Sequence, residues 1–86
     1  MSEAKLPSTA ELRDGLLKVL ADSPTGLSSR EIDAAVAKHL NLTSDQLALI
    51  RSGTRTEFAY RLAWERTHAK AKGLIIRTAT RTWKLI

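Results

Sequence analysis

Apolar residues in the first half of the chain recur at helical spacing in two segments. Over residues 9–22, leucine and valine side chains return every three or four positions with polar residues between them. Either Ser8 or Thr9 is placed to cap the start of this segment, and the Ser-Pro-Thr-Gly run at 23–26 ends it. A capping box formed by Ser28 and Glu31 opens an apolar stripe over residues 28–40. The pattern therefore predicts two amphipathic helices.

Two further helices are predicted in the middle of the chain. Another capping box, at residues 43–46, opens a short helix, and the Ser-Gly pair at 52–53 ends that helix. Residues 54–72 are the longest uninterrupted helical segment, opened by a box at 54–57 and closed by Gly73 at the expected C-terminal cap position.

The periodicity changes to that of strands after the long helix. Residues 74–78 and 82–86 are β-branched and apolar, and residues 79–81 between them are short enough for an antiparallel hairpin. The order of elements predicts a single domain over residues 1–86 that is mainly α with a small β-hairpin. Helices followed by a hairpin are the layout of a winged helix-turn-helix, in which one helix enters the DNA major groove and the wing lies beside it.

Composition narrows the class of protein. A chain of 86 residues, 43% of them apolar, has room for one core, and its few aromatic residues are expected to anchor that core. The absence of cysteine excludes disulfides and thiolate zinc sites, and two histidines leave few other metal options. No apolar run is long enough to span a membrane. We therefore expect a cytoplasmic protein without a cofactor.

Charge is distributed unevenly along the chain. Residues 1–50 hold five Lys and Arg against seven acidic residues, a net charge of −2, whereas residues 51–86 hold nine against two, a net of +7. A concentrated basic segment is the electrostatic signature of a polyanionic partner. Nucleic acid is favoured over an anionic membrane.

A helical wheel of the long segment separates apolar from charged positions. One broad side contains Tyr60 and Trp64, and a second apolar strip contains Phe58 and Leu62. The charged arc between them holds three basic residues flanked by two glutamates, namely Arg61, His68, Lys72, Glu57 and Glu65. Such an arc is equally typical of a solvated helix face with weak ion pairs. It leaves unexplained the basic residues before the helix and in the wing.

The predicted DNA-binding surface has three basic parts: the segment just before the long helix, the charged arc on that helix, and the wing. Hydroxyls near the helix start are placed to bind phosphate, while Arg55 or Arg61 is placed either to bind phosphate or to reach a guanine edge. At the wing tip, Arg81 is the one long cation among small residues, which suits a contact with the DNA backbone or the minor groove. Arg66 and Lys70 are expected to extend over the core instead. The predicted DNA-binding residues are Arg51, Ser52, Thr54, Arg55, Thr56, Arg61, His68, Lys72, Arg77, Thr80 and Arg81.

These motifs together resemble the N-terminal winged-helix domain of Mrr-type restriction endonucleases. The likeness covers nearly the whole chain, and its most specific part is a phenylalanine, arginine, tryptophan and arginine-threonine series before a lysine-glycine-leucine turn. The residues that carry it are Leu16 to Asp22, Ser29 to Ile32, Ser52, Gly53, Phe58, Arg61, Trp64, Arg66, Thr67, Lys70, Lys72 to Ile75, and Arg81 to Trp83. The resemblance implies duplex DNA binding, a preference for methylated or otherwise modified DNA, and core positions for Trp64 and Trp83.

Catalytic activity is not predicted for this chain. A nuclease of that type needs carboxylates and a lysine arranged around Mg²⁺, and the single Glu-x-Lys triplet, residues 3–5, has no strand or acidic partner before it. Neither His39 nor His68 has the neighbours of a general base. We therefore expect a recognition module that works with a separate or fused nuclease domain. Two alternatives stay open, a winged-helix protein-interaction or dimerisation module and, less favoured, a nuclease.

Overall fold

The computed structural model describes residues 5–78 and 81–86 of the chain. In chain order the described elements are α1 (Thr9–Ala21), α2 (Ser29–His39), α3 (Ser44–Leu47), β1 (Ile50–Ser52), β2 (Arg55–Thr56), α4 (Glu57–Ala71), β3 (Ile75–Arg77) and β4 (Trp83–Leu85). The predicted class, mainly helical with a small hairpin, is confirmed. No helix within these described ranges combines the length and apolar character needed to cross a bilayer.

Side-chain caps fix where the first three helices begin. Ser8, rather than Thr9, caps α1, and the Ser28 and Thr43 hydroxyls do the same for α2 and α3, each in a complete capping box. The Ser28 backbone N–H and, second, its hydroxyl bond the Glu31 carboxylate and lower the pKa of that group. Three boxes predicted from sequence spacing are therefore present.

The predicted capping box at residues 54–57 is wrong. The prediction that the short third helix continues to the Ser-Gly pair at 52–53 is also wrong. Helix α3 stops at Leu47, and β1 and β2 form a tight antiparallel hairpin whose turn contains Gly53 at φ 54°. The Thr56 hydroxyl then caps α4 by accepting from the Ala59 N–H at 3.1 Å. This hairpin is so short that its residues show no alternation of polar and apolar positions, which is the usual signal for strands.

The core lies between α1, α2, α4 and the first residue of β3. Its buried apolar side chains are Leu12, Leu16, Val19, Leu20, Ile32, Val36, Phe58, Leu62, Ala69 and Ile75. Helices α1 and α2 approach closely at Gly15, where an added Cβ would lie 3.3 Å from a Val36 methyl carbon. Helix α4 packs on α1 through the strip that contains Phe58 and Leu62, so its other apolar side faces outward.

The C-terminal hairpin is tied to the start of α2. Strands β3 and β4 pair in register from Ile75 opposite Leu85 to Arg77 opposite Trp83. Leu27 adds an isolated bridge on the other side of β4, with two backbone hydrogen bonds to Trp83 of 2.9 and 2.7 Å. The Trp83 indole N–H also donates to the Ser29 hydroxyl at 3.2 Å. Trp83 is half-buried against the core, and it fixes the hairpin beside α2.

Candidate nucleic-acid interface

A row of three rings runs along the exposed side of α4. Tyr60, Trp64 and His68 follow one another at four-residue spacing, with ring centroids 6.4 Å apart for the first pair and 5.6 Å for the second. Trp64 is 49% exposed, so its predicted core position is wrong. Both apolar sides of α4 are wide enough to form the buried face, and the helix packs through the narrower one.

Two arginines of the β1–β2 hairpin extend over the first ring of this row. The Arg51 guanidinium carbon lies 4.3 Å from the Tyr60 ring centroid, and that of Arg55 lies 5.4 Å from it. A guanidinium over an aromatic face is held by cation–π attraction while its N–H groups stay available to other partners. The hairpin therefore places two cations at the N-terminal end of the exposed α4 face.

Glu57 competes for the cations at this end. Its carboxylate lies 3.0 Å from Arg61 Nε and 3.8 Å from an Arg51 terminal nitrogen. The first contact is a hydrogen-bonded pair one helical turn apart, and both arginine side chains are about half exposed. An anionic partner has to attract these arginines away from Glu57, or bind alongside it.

The middle of the exposed α4 face forms an open depression of about 360 Å³. It is lined by Arg55, Tyr60, Ala63, Trp64 and Thr67. The Thr67 hydroxyl donates to the Ala63 carbonyl oxygen at 3.2 Å, which satisfies it within the helix. Apart from Arg55, the lining therefore offers mostly methyl groups and aromatic rings.

Sequence reasoning missed this aromatic surface because it assigned Tyr60 and Trp64 to the core. The informative residue is Glu65, expected beside the solvated arc but only 4% exposed. Its carboxylate accepts from Arg13 Nε of α1 at 3.0 Å and lies 3.8 Å from His68 Nδ1. A buried pairing between residues 52 positions apart leaves no local signal in the sequence. Glu65 thus lies on the packed side of α4, and Trp64 lies on the side that faces solvent.

Arg77, predicted to bind DNA from a wing, lies near Trp83. Arg66 bonds Asp33 of α2 at 3.2 Å, and the guanidinium carbons of Arg66 and Arg77 lie 5.9 and 5.7 Å from the Trp83 ring centroid. Arg66 is largely covered and extends over the packed face as expected, whereas Lys70 is exposed. The structure therefore places Arg77 with Trp83 and α2, beside the aromatic row rather than on it.

The remaining predicted residues divide by exposure. Ser52 and Thr54 are exposed in the β1–β2 hairpin, while the half-buried Thr56 hydroxyl is engaged in capping α4. Lys72 is exposed at the C-terminal cap of α4, and Arg81, which precedes β4, is exposed with φ 63°. Thr80 lies outside the described residues. The structure thus brings together Arg51, Arg55 and Arg61 near Tyr60 and Glu57, with His68 further along α4.

Asp33 gives this region a pH dependence. Burial raises the pKa of its carboxyl above the usual value, and attraction by Arg66 and then Arg55 opposes that rise. A carboxyl whose pKa is higher in the folded than in the unfolded chain stabilises the fold below the unfolded pKa, and that contribution is lost as pH rises through the folded pKa.

We therefore expect the wild type to lose stability relative to Asp33→Asn as pH increases across the acid range around the ordinary aspartate pKa of about 3.9. Urea unfolding of both proteins at several pH values measures the difference. A difference that grows with pH in favour of the wild type would contradict the raised pKa.

Comparison with known proteins identifies a family for this chain. Among the described residues, no three or more His, Cys, Asp or Glu side chains come together in an arrangement suited to a metal ion. Searches of curated proteins and of solved structures gave no match. The model of one family, described as the Mrr N-terminal domain, matches residues 10–85. Since this match covers nearly the whole chain, the protein belongs to the Mrr N-terminal domain family.

Proposed function

We propose that this domain binds double-stranded DNA as the recognition module of a restriction system. The observation that carries the proposal is the pair Arg51 and Arg55, held over Tyr60 at one end of the exposed α4 face. Cations bind the phosphates of a duplex, and an exposed helix face is what enters its major groove. Membership of the Mrr N-terminal domain family links the chain to Mrr-type restriction systems.

A winged helix-turn-helix arrangement is part of this proposal. The order α2, α4 and then the β3–β4 hairpin, with Leu27 bridged to β4, supports α4 as the groove helix and the hairpin as the wing. Arg77 and Arg81 of the wing then contact the DNA backbone beside the groove. The connection between α2 and α4 is long because α3 and the β1–β2 hairpin are inserted there.

The proposal assigns recognition to this domain and cleavage to another. The matched family is an N-terminal domain and not a nuclease domain. A separate or fused nuclease domain acting on chromosomal or foreign DNA in the cytoplasm is the partner that this role requires. Sensitivity to methylated or hydroxymethylated bases follows from the same surface, because such groups project into the major groove that α4 enters.

Salt dependence separates DNA binding from the alternative of a protein-interaction module. We expect a fluorescently labelled duplex of mixed sequence to bind tightly at low salt, with the slope of log affinity against log salt changing by about −0.9 for each phosphate neutralised. Fluorescence anisotropy at several salt concentrations measures that slope. Undetectable duplex binding at low salt, together with self-association of the chain, would favour the interaction module.

A competition assay tests modification sensitivity separately. The labelled unmodified duplex is displaced by the same duplex unlabelled, methylated or hydroxymethylated. Different midpoints for the three competitors support a modification-sensitive surface, and identical midpoints leave duplex binding intact while removing that part of the proposal.

Glu57→Gln is expected to increase duplex affinity by about threefold, because the change releases Arg51 and Arg61 and removes a negative charge facing phosphate. The same change weakens the favourable interaction of a carboxylate with the start of α4, at a cost of about 0.3–1 kcal/mol in unfolding free energy. Anisotropy and thermal unfolding measure the two effects. Asp14→Asn on α1 makes the same change of charge and serves as the control. Equal gains in both variants would show that only net charge matters.

A further inference from the structure

The depression on α4 is suited to an apolar group on a base edge. The rings of Tyr60 and Trp64 line it together with Ala63 and Thr67. The Thr67 hydroxyl is satisfied by the Ala63 carbonyl, so the threonine methyl is what remains to be contacted. Trp64 is nearly half exposed. Covering apolar surface of this kind with an apolar group of a partner lowers the free energy, because both surfaces are removed from water.

The charges around the depression identify the kind of partner. The guanidinium groups of Arg51 and Arg55 lie over the Tyr60 ring, and Arg55 itself lines the depression. A partner that carries phosphates and also presents an apolar group is a DNA duplex viewed from its major groove. On unmodified bases the apolar group exposed there is the C5-methyl of thymine.

We propose that Trp64, with Tyr60, determines base preference by contacting the C5-methyl group of thymine. This inference rests on the proposed function and names what the α4 face recognises. Arg55 favours thymine over methylated cytosine, because a guanidinium is only a donor: thymine places the acceptor O4 beside its methyl, whereas cytosine places the N4 donor there.

Replacing thymine by uracil tests the contact by removing the methyl group alone. The probes are a mixed-sequence duplex of about two helical turns and the same duplex with uracil at every thymine position. We expect the wild type to bind the uracil duplex about fourfold more weakly for each methyl contacted, the equivalent of burying one methyl group. Trp64→Ala is expected to bind both duplexes with nearly equal affinity, close to that of the wild type for the uracil duplex.

Ile86→Ala is the matched control for Trp64→Ala. It removes exposed apolar surface at a residue that follows β4 and has no part in the proposed DNA contact, and it should keep the wild-type ratio between the two duplexes. Trp64→Phe, which keeps an aromatic ring, should retain part of the ratio. Circular dichroism of every variant, and fluorescence of Trp83 in the two Trp64 variants, establish that each protein is folded.

The outcomes separate this inference from the proposed function. Equal wild-type binding to the thymine and uracil duplexes, or an unchanged ratio in Trp64→Ala, overturns methyl recognition and leaves duplex binding standing. The assignment to thymine is overturned if methylating cytosine raises the duplex affinity by a larger factor than removing the thymine methyl groups lowers it. Failure of the wild type to bind either duplex overturns the proposed function itself.

Discussion

Replacing Arg51 and Arg55 together by alanine is expected to lower the affinity for duplex DNA by roughly 10- to 100-fold at low salt. Both guanidinium groups extend over Tyr60, and both belong to the hairpin that precedes α4. If Arg51 neutralises one phosphate and Arg55 divides its N–H donors between a phosphate and thymine O4, the slope of log affinity against log salt should become shallower by about 0.9 to 1.8. Anisotropy across the same salt series measures both quantities.

The matched control for this pair removes two cations from other elements. Lys18 of α1 and Lys38 of α2 are exposed, and replacing both by alanine makes the same change in net charge. We expect a loss of affinity several times smaller and little change in the salt slope. Equal losses in the two double variants would mean that the whole-chain charge drives binding and that the hairpin arginines have no special position.

Leu62→Ala is expected to reduce the free energy of unfolding by about 2–5 kcal/mol, the range observed when a fully buried leucine is truncated. Leu62 has no exposed surface and lies on the side of α4 that packs on α1. For a domain of this size, each kcal/mol lowers the melting temperature by about 4–8 °C. Urea and thermal unfolding measure the loss, which approaches the whole stability of a small domain.

Leu74→Ala is the control for the core truncation, since Leu74 is 40% exposed beyond the end of α4. It should change the unfolding free energy by less than about 1 kcal/mol. At temperatures where Leu62→Ala remains folded, that variant should bind duplex DNA as the wild type does, because Leu62 lies on the side of α4 opposite the proposed contact. Similar destabilisation by both changes would contradict the packing of α4 through Phe58 and Leu62.

Local signals predicted most of the helical fold. Three capping boxes predicted where α1, α2 and α3 begin, because each box is a set of hydrogen bonds among neighbouring residues. The β1–β2 hairpin escaped because strands of two and three residues leave no periodic pattern. Thr54, expected to open the long helix, therefore lies in a turn, and Thr56 caps α4.

The orientation of α4 could not be predicted from its own residues. Its apolar positions cover two sides, and the choice between them depends on partners that are distant in sequence, such as Arg13 bonded to Glu65. Arg51 and Arg55 lie just before α4, while Tyr60 and Trp64, which the sequence reasoning assigned to the core, lie in the exposed ring row. A glutamate surrounded by apolar helix positions is a reason to examine both orientations in similar sequences.

A nuclear magnetic resonance titration of the isotope-labelled domain with duplex DNA tests the proposed contact surface most directly. The two indole N–H signals act as internal probes, since Trp64 is exposed on α4 and Trp83 is bonded to Ser29. We predict the largest shifts at Arg51, Arg55 and the Trp64 indole, with small shifts along the outer side of α1. Shifts concentrated on α1, or a Trp64 indole signal that does not move at saturating DNA, would contradict binding through α4.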